Sequence, residues 1–210
     1  MKLLIIVQVA VLYATCLHDV KGRESTTEES SNAEPSALFK RKMHAYLTQL
    51  DVNKDGKLDK REYVDLTTER SRQALPSWRS KVVYAILSAS WGTWFSNEHN
   101  QYKQSVTVDE WIELLKIANA NFTSNSKFSE WCEDWFDTIN LDCGEDISVD
   151  EFGKFLVIFH SALPPEVPFN TTDQDGNGVI TGQEFANGCA QFYYNQNDPE
   201  TAFFYGSPDN

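Results

Sequence analysis

Residues 51–62 constrain this chain more than any other stretch. They read Asp-Val-Asn-Lys-Asp-Gly-Lys-Leu-Asp-Lys-Arg-Glu. Oxygen-bearing side chains fall at positions one, three, five, nine and twelve (Asp51, Asn53, Asp55, Asp59, Glu62), and Gly56 falls at position six. Carboxylates crowded this closely repel one another unless a cation sits among them. The spacing suits a hard divalent ion, Ca²⁺, which takes about 6–8 oxygen ligands. Asp51, Asn53 and Asp55 then supply side-chain oxygens, Lys57 its backbone carbonyl, Asp59 an oxygen directly or through water, and Glu62 both carboxylate oxygens. Gly56 stands where the chain turns sharply into a conformation that a Cβ makes costly. This is the pattern D-x-[DN]-x-[DN]-G-x5-E, and it works only when two helices hold its ends.

The frame recurs. Glu62-Tyr63, Glu110-Trp111, Glu151-Phe152 and Glu184-Phe185 each pair a glutamate with an aromatic. Four residues before each glutamate stands Leu58, Val106, Ile147 or Ile180, and three residues before it Asp59, Thr107, Ser148 or Thr181. Four registers with the same features predict an all-α chain of four EF-hand helix–loop–helix units in two paired lobes packed compactly. The apolar residue at position eight is expected to form short β-bridges between paired loops, and the aromatic to enter the core. A capping box has the same x-x-Glu signature without any metal, so each loop is judged on its remaining ligands.

The fourth loop, residues 173–184, has them all: Asp173, Asp175, Asn177, the Val179 carbonyl, Thr181 and Glu184, with Gly178 at the turn. It has one carboxylate fewer than the first, which predicts a weaker site at equal rigidity. The second loop, residues 99–110, offers His99, Gln101 and Lys103 at positions one, three and five. A lysine there opposes Ca²⁺ directly. The third, residues 140–151, has Asn140, Asp142, Ser148 and Glu151 in frame, but Gly144 lacks an oxygen at position five. Glu145 replaces the glycine at position six, a cost of about 1 kcal/mol or more if it turns left-handed. Neither loop is counted among the sites.

A net charge of −13 excludes a nucleic-acid partner, which needs clustered Lys and Arg. Lys2 and the apolar run of residues 3–17 read as a signal peptide, cut after Gly22 or alternatively after Cys16. No other stretch is apolar enough to span a membrane. The expected organisation is a signal peptide at 1–22, a polar flexible leader at 23–35, an EF-hand pair at 36–120, a second pair at 126–195 and an aromatic tail at 196–210 packing on the core. Secretion is the expected localisation. The sequons at Asn121 and Asn170 fit that route. Three cysteines follow the leader: Cys132, Cys143 and Cys189. Cys132 and Cys189 are expected to be helix packing or a disulfide, and a Cys143–Cys132 tie is an alternative.

Ser36 is placed to cap a helix carrying Phe39, Met43, Tyr46, Leu47 and Leu50 at helical spacing. The exit helix of the first loop is predicted over residues 59–75, ended by Pro76, and Ser77 starts a third helix running to Phe95. Pro164, Pro165 and Pro168 leave room for only a short helix before the fourth loop.

With two of its four loops degenerate and a tail of Asp198-Pro199…Phe204-Tyr205-Gly206, the chain over residues 36–206 resembles the invertebrate sarcoplasmic calcium-binding proteins. Calexcitin and the calcium-regulated photoproteins belong to the same wider group. The resemblance implies a compact two-lobed fold and calcium buffering or sensing, with Ca²⁺ held at the first and fourth loops. Two departures stand out. The sarcoplasmic members are cytosolic. Photoproteins look to a His and a Trp on the last exit helix, and residues 184–193 have neither, so light emission is not expected.

The expectation is thus a secreted, monomeric Ca²⁺ buffer or sensor. No nucleophile–base arrangement, P-loop, dinucleotide fingerprint or zinc motif marks an enzyme. Two alternatives stand beside it. One is a calcium-gated module that opens to a protein partner, against which only Met1 and Met43 occur. The other is a carrier of an apolar small ligand, suggested by Trp78, Trp91, Trp94, Trp111, Trp131 and Trp135.

Overall fold

The computed structural model describes residues 34–95, 103–120, 126–195 and 204–205. The signal peptide, the leader up to residue 33, the Asn121 sequon, His99 and Gln101, and all of the tail except Phe204 and Tyr205 lie outside the described residues. In chain order the helices are α1 (Ala37–Leu50), α2 (Thr67–Ala74), α3 (Ser77–Trp94), α4 (Val108–Ala120), α5 (Ser126–Ile139), α6 (Val149–Ile158), α7 (Glu166–Thr172) and α8 (Gly182–Tyr194). Four short strands lie between them: β1 (Lys57–Asp59), β2 (Ser105–Thr107), β3 (Asp146–Ile147) and β4 (Ile180–Thr181). The all-α fold of two paired helix–loop–helix lobes is the one expected.

Local chemistry sets the helix ends. The Ser36 hydroxyl accepts from the Phe39 N–H at 3.1 Å and opens α1. Ser148 and Thr181 form capping boxes with Glu151 and Glu184 at the starts of α6 and α8. Leu75, extended ahead of Pro76, ends α2. The exit from the first loop is not one regular α-helix: residues Arg61–Leu66 form a π-helical turn before α2 begins. Buried hydroxyls compensate for the altered ladder, with Thr67 Oγ1 donating to the Glu62 carbonyl at 3.1 Å and Thr68 Oγ1 to that of Val64 at 2.6 Å.

The strands pair as the position-eight pattern requires. Leu58 lies opposite Val106, and Ile147 opposite Ile180, in two antiparallel pairs. All four side chains are buried, as are Tyr63, Trp111, Phe152 and Phe185, the aromatics after each glutamate. Burial of a large apolar side chain contributes about 1.5–3 kcal/mol, so these eight positions anchor both lobes. Tyr205 is 0% exposed, its ring centroid 4.8 Å from that of Phe159 and 4.9 Å from those of Tyr46 and Phe192. This part of the tail does fold back onto the helices. Trp91, Trp111, Trp131 and Trp135 fill the core, whereas Trp78 is 60% exposed.

Cations from the first lobe seal the lobe interface. Arg79 on α3 is 3% exposed and donates to the carbonyls of Asp137 at 2.6 Å and Thr138 at 2.8 Å, in the last turn of α5. Lys42 on α1 is 1% exposed and donates to the Asn195 carbonyl at 2.7 Å, just past α8. Arg70 on α2 reaches the Ile158 carbonyl at 3.4 Å, at the end of α6. Each places a positive charge at the carbonyl end of a second-lobe helix, where the helix dipole is negative. From the other lobe, His160 sets its Nδ1 2.9 Å from the Gln49 carbonyl.

Candidate metal centre

In the first loop the side chains fold inward and the backbone amides hold them there. Asp51 accepts from the Gly56 N–H at 2.8 Å, Asn53 from that of Asp55 at 2.8 Å, and Asp55 from that of Lys57 at 2.9 Å. Glu62, buried at the start of the exit helix, accepts on one oxygen from Val52 at 3.0 Å and Asn53 at 3.1 Å, and on the other from Asp59 at 3.1 Å. Asp59 caps the exit helix through the Glu62 N–H at 2.8 Å. Two residues are left-handed, Lys54 at φ 59° and Gly56 at φ 79°. The side chains of positions one, three, five and twelve are thus each braced by the loop's own backbone amides.

The fourth loop repeats this geometry with glycine at both left-handed positions, Gly176 at φ 71° and Gly178 at φ 88°. Asp173 accepts from Gly176 at 2.9 Å, Asn177 at 3.2 Å and Gly178 at 2.9 Å. Glu184 accepts from Gln174 at 2.9 Å and Thr181 at 2.9 Å. Burial alone would raise the Glu184 carboxyl, but the amides and hydroxyl of Thr181 and the amides of Gln174 and Asp175 outweigh it and hold it below the ordinary range. Asp173, Asp175 and Glu184 each bring an oxygen within 4.8 Å of the others. Three carboxylates so gathered, beside the Asn177 amide and the Val179 carbonyl, form a donor set that fits Ca²⁺. Thr181, at position nine, spends its hydroxyl on Glu184 at 2.8 Å and thereby lies at the rim of the group.

The degenerate loops keep the architecture and change the centre. In the second, Lys103 Nζ lies 2.8 Å from Glu110 Oε1, so an internal ammonium neutralises the position-twelve carboxylate. Lys103 is the main cause of the lowered Glu110 pKa, with the Thr107 amide adding to it. In the third, Glu151 is held like its counterparts, by Leu141 at 2.7 Å and Ser148 at 2.9 Å. Glu145 avoids the costly left-handed turn: the loop's positive φ falls on Cys143, at 60°, the counterpart of Lys54 and Gly176. The loop therefore lacks the second turn that the first and fourth share. A Cβ at Gly144 would lie 3.0 Å from Asp142 Oδ1, so a larger residue there would have to displace that carboxylate slightly. Asn140, 4% exposed, donates to the Gly144 carbonyl at 2.9 Å.

The described cysteines, Cys132, Cys143 and Cys189, are free thiols. Cys132 and Cys189 are buried in the α5–α8 contact, where burial and the neighbouring thiol push Cys132 up. Cys143 is not tied to Cys132; it is exposed, with its Sγ 3.7 Å from Arg79 Nη2. Sequence reasoning missed Arg79, Lys42 and Arg70, because a basic residue on an amphipathic helix ordinarily marks the solvent face.

The EF-hand family profile, "EF hand", matches residues 43–66, covering most of α1, the first loop and the start of its exit helix. No curated protein sequence matches the chain. Among solved structures, okadaic acid binding protein 2.1 is similar with a TM-score of 0.67 at 17% identity, covering 83% of this chain and 98% of that one. The coelenterazine-binding protein of Renilla muelleri, in its calcium-loaded apo form, gives 0.57 at 20% identity, covering 87% and 99%. Calcium-loaded apo-aequorin from Aequorea victoria gives 0.58 at 20% identity, covering 77% and 92%. At such identities the likeness is one of fold, and the family match places an EF-hand motif at the first loop.

Proposed function

We propose that this chain is a secreted, non-catalytic Ca²⁺-binding protein that holds the ion at its first and fourth loops and acts as a buffer. The observation that carries the proposal is the set of fourth-loop carboxylates gathered within 4.8 Å, with the same ligand spacing and amide bracing in the first loop. Asp51, Asn53, Asp55, Lys57, Asp59 and Glu62 serve the first site, and Asp173, Asp175, Asn177, Val179, Thr181 and Glu184 the second. Bound Ca²⁺ would neutralise carboxylates that otherwise repel. Secretion rests on the apolar run of residues 3–17, and kinship with the sarcoplasmic proteins on the closing Asp198-Pro199…Phe204-Tyr205-Gly206.

Buffering is favoured over a groove that opens to a partner. Met43 is buried in the core, and Lys42, Arg70 and Arg79 tie the lobes at three helix ends. Calorimetric titration of the metal-free chain tests the proposal: two Ca²⁺ are expected per chain, and Glu62→Gln with Glu184→Gln should remove both. Absence of binding heat in the parent chain refutes it. Appearance of the full-length product in the medium of eukaryotic cells tests secretion, and retention inside them refutes it.

One observation favours a second reading, an apolar small-molecule carrier. Tyr63, Trp111, Leu115, Phe128, Trp131 and Tyr193 line a cavity in the core. Trp111 Nε1, beside it, is buried without a hydrogen-bond partner. The cavity is only ≈ 10 Å³, about the size of one water, so a larger guest must displace rings. Native mass spectrometry of protein from its source tissue separates the readings: a retained mass supports the carrier.

A further inference from the structure

The two calcium loops differ in their electrostatic setting far more than in their ligands. The first loop, residues 51–62, carries four acidic residues and four basic ones, Lys54, Lys57, Lys60 and Arg61. The fourth, residues 173–184, carries three acidic residues and no basic one. The β-bridges then add each loop's partner. Pairing of β1 with β2 sets the first loop beside the second, where Lys103 occupies Glu110. Pairing of β3 with β4 sets the fourth beside the third, which contributes Asp142, Glu145, Asp146, Asp150 and Glu151, with Asp146 directly opposite Thr181. Asp146, set opposite Thr181, lies on the paired strand itself, and charges in a paired loop act on the ion over a Debye length of roughly 8 Å at physiological ionic strength.

Preorganisation runs the same way. Both left-handed positions of the fourth loop are glycines, and its three carboxylates already converge. In the first loop Lys54 is left-handed, and among the described residues no such convergence of Asp51, Asp55 and Glu62 occurs. Its additional carboxylate, Asp59, caps the exit helix.

Building on the calcium reading of both loops, we infer that the sites are graded: the fourth loop is the tighter, salt-sensitive site that fills first, and the first loop is weaker and nearly salt-insensitive. This reverses the order that carboxylate count alone suggests, because the premise of equal rigidity fails.

Calcium titration calorimetry of the full chain at about 0.02 M and about 0.2 M KCl tests the order. Two resolved events are expected. Glu184→Gln should remove the tighter one and Glu62→Gln the weaker. Added salt should weaken the tighter event about tenfold and the weaker less than about threefold. Loss of the tighter event in Glu62→Gln, or equal salt dependence of the two events, overturns the inference while leaving two calcium sites in place. Absence of binding, or binding that survives both changes, instead overturns the calcium reading itself. A second set leaves all ligand oxygens intact. Lys54→Gln, Lys60→Gln and Arg61→Gln together should tighten the weaker event about tenfold, and Glu145→Gln with Asp146→Asn should loosen the tighter one several-fold. No change in either would refute the electrostatic argument even if a glutamate variant failed to fold.

Discussion

Arg79→Ala tests what holds the lobes together. The guanidinium is almost wholly buried and makes two short hydrogen bonds, 2.6 Å and 2.8 Å, to the last-turn carbonyls of α5. A hydrogen bond from a charged donor contributes about 1.5–3 kcal/mol. Truncation leaves both carbonyls facing a vacated space and removes the charge at the helix dipole. Water re-entering that space recovers part of the loss, so the net cost should be about 3–5 kcal/mol. For a domain of this size the urea midpoint should fall by about 1–2 M at unchanged slope. Metal-free protein followed by far-UV circular dichroism gives that value without calcium linkage. Both short bonds leave from Nη1, while Nη2 reaches the Leu141 carbonyl at 3.4 Å; Arg79→Lys keeps the charge but lacks that second nitrogen, and should lose roughly half as much. Arg72→Ala is the control, because Arg72 bridges Glu69 in solvent and should cost under about 1 kcal/mol. An Arg79→Ala midpoint within about 0.3 M of the parent would refute the view that this cap holds the interface.

Two further outcomes are expected. Gly188→Ala sets a Cβ 2.9 Å from the buried Phe204 ring and 3.1 Å from Thr172 Cγ2, so it should cost about 1–3 kcal/mol, read as a lower melting temperature. Asp134 on α5 is pushed up to about 6, first by burial and then by Asp137, Glu130 and Glu133. The folded state therefore binds its proton more tightly than the unfolded chain, and this group's contribution to stability falls as pH rises from about 4 through about 6. Asp134→Asn should stabilise the fold at pH 7 by about 1 kcal/mol, discounted for solvent screening of a partly exposed group, and should have no effect below pH 4. An equal gain at both pH values would refute the assignment.

Much of this fold is written in short-range chemistry and so could be read in the chain. Position eight must pair across the loops, and Leu58, Val106, Ile147 and Ile180 do. Ser36 and Pro76 mark helix ends because one offers an oxygen to orphan amides and the other cannot continue the helix. The features that escaped depend on tertiary partners. Lys42 and Arg79 look like surface cations until a second lobe brings carbonyl ends to them. The π-turn at Arg61–Leu66 leaves no period in so short a window. At the third loop, the absent glycine was legible, but not that Cys143 would keep the position-four turn of Lys54 and Gly176 while Glu145 made none. The residues proposed as ligands in the first and fourth loops stand out by spacing; their unequal convergence does not, because it depends on how each loop is braced.

The same bracing predicts how calcium at one end is felt at the other. The fourth loop is followed by α8, and the carbonyl of Asn195, just past α8, accepts from Lys42 at 2.7 Å. Lys42 lies on α1, which leads directly into the first loop. Calcium held in the fourth loop, as proposed, would stabilise the folded state by about 2.7 kcal/mol at a hundredfold excess over its dissociation constant. If the lobes open together, that increment must reach α1; if they open separately, it stops at the lobe boundary. Hydrogen exchange on Glu62→Gln, whose first loop is disabled, isolates the effect. Calcium should slow exchange of the α1 amides by about a hundredfold, and Lys42→Met added to this variant should abolish most of that slowing while protection in α8 persists. Slowing confined to α5–α8 in Glu62→Gln would show that the buried lysine seals the interface without transmitting the binding energy, and the cation caps would then be packing devices alone.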